Sequence, residues 1–195
     1  MSSLPTLAMD MGVVGPFPVI VADPPWLFQS NSEENPGRNA RSHYDCQPTE
    51  DIARMPIGEL CGKDSTLYLW TTSPMLPEGL HVLESWGFTY KSQMVWIKPS
   101  ISTGYHNRNQ HELVLVGRRG KGPLMENRTS VPSVFYGPKR EHSRKPDQFA
   151  EIIESGYPNF HRLDLFARQR RSRLWTAWGN EIAHFDLDEN LEEAA

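Results

Sequence analysis

Four consecutive residues, Asp23-Pro24-Pro25-Trp26, carry the most chemistry in this chain. They follow Val19, Ile20, Val21 and Ala22, an apolar and mostly β-branched run that reads as a buried strand. Proline has no N–H to give to a strand ladder, so the strand must stop at or near Asp23. In open α/β sheets the carboxyl ends of the strands are where ligands bind. The turn thus offers a carboxylate, carbonyls with no N–H competing beside them, and a flat ring. That set suits a planar substrate bearing an amine. An aromatic amine is a poor nucleophile because its lone pair is delocalised into the ring. If Asp23 and the Pro24 carbonyl accepted its two N–H bonds, they would draw the nitrogen toward tetrahedral geometry and stabilise the positive charge developing on it. Trp26 could stack on the ring, worth about 1–3 kcal/mol. The competing reading is plainer: the prolines end a strand and Trp26 plugs the core. The four residues alone do not choose between the two.

The elements that must position this turn follow from periodicity. Strands are expected at 19–23, 65–70, 88–97, 111–117, 131–136, 162–166 and 174–178, with a short one near 7–9. Helices are expected at 49–60, 75–86 and 147–154. The first is capped by Thr49, has Glu50 and Asp51 in its first turn and is limited by Pro56; the others are closed by Gly87 and Gly156. Strands alternating with helices argue an α/β fold, a mostly parallel central sheet with helices on both faces. The polar stretches 27–47, 98–110, 137–146 and 167–173 each follow a strand, so they should converge at one carboxyl edge. The longest, 27–47, reads as a lid. With no repeat or internal linker, residues 1–195 are expected to form a single domain, with 1–18 a loose lead-in and 186–195 a loose acidic tail.

Composition removes several classes. A net charge of −4 does not fit a generic polyanion binder. Arg162, Arg168, Arg170, Arg171 and Arg173 nevertheless crowd one stretch, enough for a local basic face. No apolar run approaches the ~18–20 residues that cross a bilayer, and residues 1–11 lack the pattern of a signal peptide. A reducing cytoplasmic setting without membrane contact is expected. Cys46 and Cys61 form neither a disulfide framework nor a metal knuckle, and no fixed partner marks either as a nucleophile. There is no HExxH, and His106 and His111 read as solvated loop residues, so no metal is expected. The missing G-x-G-x-x-G, P-loop and G-x-S-x-G patterns remove the usual dehydrogenase, kinase and hydrolase readings.

Further segments recur in a telling order: Tyr44, then Leu67-Tyr68-Leu69-Trp70-Thr71, Trp86-Gly87-Phe88, Val95-Trp96-Ile97-Lys98, and Thr103-Gly104 through Glu112. After them come Glu141-His142-Ser143-Arg144-Lys145-Pro146-Asp147, Leu163-Asp164-Leu165-Phe166-Ala167-Arg168 and Trp178-Gly179-Asn180-Glu181. In these segments and their order, from about Val19 to Glu181, the chain resembles the adenine-N(6) methyltransferases with the Asp-Pro-Pro-Trp signature, the MT-A-seventy family. That family includes the catalytic subunit of the eukaryotic mRNA adenosine methyltransferase and many bacterial and phage proteins.

The resemblance implies a Rossmann-like, S-adenosylmethionine-dependent methyltransferase whose catalytic motif precedes the cofactor strand, a permuted order that accounts for the missing glycine fingerprint. It implies catalytic roles for Asp23, Pro24, Pro25 and Trp26. It places Asp23, Lys145, Arg168, Asn180 and Glu181 at the cofactor, and Tyr44, Glu112, Ser143 and Arg144 at the target nucleotide or its gate. Lys98 would meet the nucleic-acid backbone. Plainer readings stand beside these: Glu112 paired with a nearby arginine, and Lys98 a solvated strand end. Many relatives have proline, histidine and asparagine where this chain has Gln169, Arg170 and Arg171, which leaves open whether Arg170 takes over a ribose contact. Asp164 stands where glutamate is usual. The expected substrate is adenine in DNA, because the chain is short and carries no extra eukaryotic-style domain. RNA, or a non-catalytic nucleic-acid-binding subunit, is the alternative. A protein partner or a second copy would supply recognition that the chain lacks.

Overall fold

The computed structural model describes residues 15–27, 46–102, 104, 106–140, 144–180 and 182. The expected strand near 7–9, nearly all of the 27–47 lid, the acidic tail, Tyr44, Ser143 and Glu181 lie outside the described residues. Seven strands form one sheet: β1 (Phe17–Ala22), β2 (Cys61–Thr71), β3 (Thr89–Ile97), β4 (His111–Arg119), β5 (Val134–Tyr136), β6 (Arg162–Leu165) and β7 (Trp175–Trp178). Their spatial order is β5-β3-β4-β2-β1-β6-β7. Every pairing is parallel except those of β4, which runs against both β2 and β3. The mostly parallel sheet is therefore as expected, with one reversed strand. Its cause is the 98–110 segment, which has no helix among its described residues to carry the chain back along the sheet, so β4 returns directly antiparallel to β3. That reversal puts the start of β4 at the edge where the other strands end.

Both faces of the sheet are apolar, as the unbroken hydrophobic runs require. Ile20, Ala22, Leu67, Leu69, Leu115, Leu163 and Leu165 face helices α1 (Thr49–Arg54) and α2 (Leu76–Ser85), meeting Ile52, Val82, Leu83 and Trp86. Val19, Val21, Tyr68, Trp70 and Val114 face α3 (Asp147–Gly156) through Phe149 and Ile153. The period of two divides neighbours between the faces. Burying each large side chain contributes roughly 1.5–3 kcal/mol.

The helix ends depart from expectation in ways that proline and packing explain. The expected 49–60 helix is α1 plus a 3-10 turn, Ile57–Glu59. Pro56 forces Met55 out of helical geometry (ψ 127°), which ends α1. Thr49 is the first helical residue, not the cap; Pro48 holds the cap position and no side chain caps the helix. Gly87 follows α2 with φ 85°, the left-handed stop expected of it. Gly156 is instead the last residue of α3, where a Cβ would sit 2.9 Å from the Met125 side chain. Close packing, not a turn, requires glycine there.

Candidate active site

β1 is central, and the chain leaves it toward β2 on one side while β6 leads to β7 on the other. The crevice between β1 and β6 is thus a topological switch point, the place where such sheets bind ligands. Asp23 stands at its lip, its N–H donating to the Leu165 carbonyl at 3.3 Å. The turn after it is clamped by the segment entering α1: Gln47 N–H donates to the Pro25 carbonyl at 2.8 Å, and Leu27 N–H to the Gln47 carbonyl at 3.1 Å. The Pro24 carbonyl accepts the Trp26 N–H at 2.9 Å, so one of its two lone pairs is already used.

Trp26 does not offer its ring to a base. It is 8% exposed, packs in the cluster beneath α1 and α2, and donates its indole N–H to the Trp70 carbonyl at 3.0 Å. The expected stacking role is corrected by that geometry: a large apolar ring gains more from the core, and its one donor finds a backbone acceptor there. Trp26 anchors the turn after β1 to β2 from below. Trp26→Phe, which removes the donor and keeps most of the ring, is expected to cost about 1–3 kcal/mol of stability, measured by urea denaturation.

At the same edge four charged side chains alternate in sign. Lys98 Nζ lies 2.5 Å from Glu112 Oε1, Lys145 Nζ lies 3.4 Å from Glu112 Oε2, and Lys145 Nζ lies 2.8 Å from Asp23 Oδ2. Lys98, Glu112 and Lys145 side chains are 15%, 14% and 16% exposed. The plainer reading of Glu112 thus needs one change: its partners are lysines. The Lys98 ammonium turns inward to Glu112, so it is not the solvated strand end of the plainer reading. Burial raises the Asp23 pKa above its ordinary value, against the lowering pull of Lys145. For Glu112, burial works in the raising direction, but the ammonium groups of Lys145 and Lys98 outweigh it and hold the carboxyl below its ordinary value. So Glu112 is held ionised, and Asp23 is poised to take a proton.

Behind Asp23 lies a solvent-open cleft with about 590 Å³ of empty space, counting its mouth. Lys145, Phe149, Asp164, Arg168, Arg171 and Trp175 are among its lining. Arg144 also lines it. Arg170 is exposed and outside the lining, and Arg171 takes the inward place: its Nε is 3.7 Å from Asp164 Oδ2, and its guanidinium lies over the Trp175 ring. Gln169, buried beside it, accepts from Arg171 Nη1 at 2.9 Å in the orientation the network requires. Asn180 is exposed and outside the lining as well.

Asp164, marked in the sequence only as a departure from glutamate and given no role there, lines the cleft. In β6, Leu163 and Leu165 enter the core below, so Asp164 must point to the other face, beside Val21 of β1. An acid on the inner face of a central strand is a signal in its own right. Burial pushes its pKa up to about 6, partly offset by Arg171.

The turn after β6 brings Ala167 to Gln169 into the cleft by taking φ 62° at Phe166, a conformation side chains rarely adopt. Two contacts hold it: Phe166 packs edge-on to Trp178 at 5.7 Å, and Ala167 N–H donates to the Trp178 carbonyl at 2.9 Å. Gly179 passes so close that a Cβ would lie 2.8 Å from the backbone N and O of Ala167. Gly179→Ala is therefore expected to cost about 1–3 kcal/mol and to weaken ligand binding in the cleft, seen by denaturation and calorimetric titration.

The cleft combines carboxylates for cationic or hydroxyl groups, cations for an anionic group, and aromatic side chains for a flat ring. An amino acid joined to a nucleoside fits that donor set. Among the described residues, no group of three or more His, Cys, Asp or Glu could hold a metal ion, and no helix is long and apolar enough to cross a membrane.

The MT-A70 family model matches residues 17–181. The chain is 29% identical over 182 residues to the type II methyltransferase M.MunI of Mycoplasma sp, covering 85% of this chain and 78% of that protein. It is 30% identical over 191 residues to a probable N(6)-adenosine-methyltransferase MT-A70-like protein of Oryza sativa subsp. japonica, covering 93% of this chain and 25% of that one. To the human N(6)-adenosine-methyltransferase catalytic subunit METTL3 it is 27% identical over 183 residues, covering 89% of this chain and 30% of that subunit.

Proposed function

The chain belongs to the MT-A70 family, and on that premise we propose that it methylates the 6-amino group of adenine in DNA, with S-adenosylmethionine as donor. The observation that carries this reading is the Asp23 carboxylate at the lip of the switch-point cleft, anchored through Oδ2 by Lys145. Asp164, Lys145 and Arg168, which line the cleft, would hold the charged and hydroxyl groups of the donor. The donor supplies an electrophilic methyl group.

The chain's own residues do the rest by position and charge. With Oδ2 on Lys145, the target amine would give one N–H to Asp23 Oδ1 and the other to the remaining lone pair of the Pro24 carbonyl. Both bonds pull the nitrogen lone pair out of conjugation with the ring and stabilise the positive charge that develops on it. Holding the amine in line supplies much of the acceleration. The proton that nitrogen must lose passes to Asp23 and then to water. Its upward-shifted carboxyl suits that role better than an ordinary aspartate would. A duplex target would first be flipped out of the stack.

DNA is preferred because the likeness to the type II methyltransferase of Mycoplasma sp takes in 78% of that protein at 29% identity. The test is incubation with labelled S-adenosylmethionine and, separately, single-stranded DNA, duplex DNA and RNA, followed by digestion and identification of the labelled nucleoside. N(6)-methyladenine from DNA is the expected product. Label in RNA alone would move the proposal to that polymer, and label in no nucleic acid would overturn it.

A further inference from the structure

Lys98 ends β3's exit at the same edge as Asp23, yet it does not touch Asp23. Its ammonium sits 2.5 Å from Glu112 and 5.3 Å from the centroid of the Trp96 ring. Lys145 is seated in the same way, 5.1 Å over the Trp70 ring, and the two indoles meet edge-on at 6.1 Å. The pair of rings is thus a floor carrying two ammonium groups, with Glu112 between them. An ammonium committed to a buried carboxylate and an indole face is not presented to a phosphate.

Glu112 is shared unequally. Lys98 is the nearer cation at 2.5 Å, and Lys145 is farther at 3.4 Å while standing 2.8 Å from Asp23. We propose that Lys98 is a positioning residue for methyl transfer: by occupying Glu112 it leaves Lys145 on Asp23, and so holds the Asp23 carboxylate where the amine must bind. The inference rests on the reading of Asp23 as acceptor for that amine. The charge count explains the effect. With Lys98 in place, two carboxylates face two ammonium groups. Without it, Lys145 alone must serve both Asp23 and Glu112. In a site this poorly hydrated, attraction between charges is strong and an unpaired carboxylate is costly. Glu112 is the more deeply buried of the two carboxylates, with 14% side-chain exposure against 26% for Asp23, so the lone ammonium moves toward Glu112. Among the described residues Arg168 also acts on Asp23 in favour of its ionised form, and Asp164 and Asp23 oppose one another as like charges.

The test compares the wild type with Lys98→Met, which keeps the reach over Trp96 without the charge, and with Lys98→Arg. Crystal structures of Lys98→Met should show Lys145 drawn onto Glu112 and beyond hydrogen-bonding distance of Asp23. Its kcat on DNA should fall about tenfold to a hundredfold with KM for DNA and the salt dependence of binding unchanged. Lys98→Arg should keep Lys145 on Asp23 and recover most of kcat. Lys98→Gln repeats the comparison if Lys98→Met does not fold. Lys145 still seated on Asp23 in the uncharged variant would overturn the proposal. So would an unchanged kcat with a raised KM and a salt slope reduced by about one, the mark of a phosphate contact. If the wild type methylates no nucleic acid, the proposed function fails, while the structures still decide what Lys98 does.

Discussion

Asp23→Asn is expected to lower kcat by about 10²–10³-fold, and Asp23→Ala by at least as much, while cofactor binding persists. The asparagine keeps the size of the side chain and one acceptor oxygen. What it loses is the negative charge that opposes the positive charge developing on the amine, and the carboxylate that takes the departing proton. The fold should tolerate both variants, because Lys145 keeps Glu112 as a partner at 3.4 Å and is not left as a buried charge without one. Single-turnover transfer and calorimetric titration with the cofactor separate the two effects. Unchanged turnover in either variant would remove Asp23 from the chemistry and return the turn to its plainer reading as a strand end.

Asp164→Asn is expected to stabilise the protein at pH 7 and to impair it. The Asp164 carboxyl has an ordinary value of 3.8 and is pushed up to about 6 in the folded chain. Between those values the folded state holds a proton that the unfolded chain has released, so acidification over that window favours folding. Above about pH 6 the carboxylate is ionised in both states, and the folded state carries the whole cost of burying it. That cost is roughly 3 kcal/mol, with the side chain 15% exposed. The upward shift of Asp23 acts in the same direction, whereas Glu112, held below its ordinary value, stabilises the fold at neutral pH and loses that contribution on acidification. The Asp164 share is therefore read as a difference. Urea midpoints of wild type and Asp164→Asn should be well apart at pH 7, closer at pH 5 and equal near pH 4. Arg171 keeps Gln169 as a partner in the variant. Function should move the other way. With the ionised form needed in the cleft, cofactor affinity of the wild type should fall below pH 6, approaching tenfold per pH unit. The variant should bind weakly at every pH. A variant equally stable and equally tight-binding at pH 7 would show that Asp164 carries no such strain. Sites that hold destabilising charges for function are a common origin of this trade-off.

Local chemistry decided much of this protein before any packing was considered. The apolar run at 19–22 can only be a buried strand, Pro24 and Pro25 can only end it, and Asp23 is thereby left at the carboxyl edge. Pro56 and Gly87 act through backbone geometry that needs no distant partner. The eight ordered segments placed the chain in its family, and the family match over 17–181 agrees.

Only the tertiary structure decided where the long side chains point. Trp26 turned into the core because the backbone carbonyl of Trp70, 44 residues away, waits there for its N–H. Lys98 turned inward because β4 runs backwards and sets Glu112 beside it, and no periodicity in a polar loop foretells that reversal. Arg171 rather than Arg170 entered the cleft because the chain reverses at Phe166. Asp164 became a strained acid because its neighbours on either side belong to the opposite face. Residue type and spacing determine which elements form and which edge collects the chemistry. Which charge meets which, and at what cost, is decided by strand order and direction, because those contacts are long-range and each flexible cation had more than one partner it could have taken.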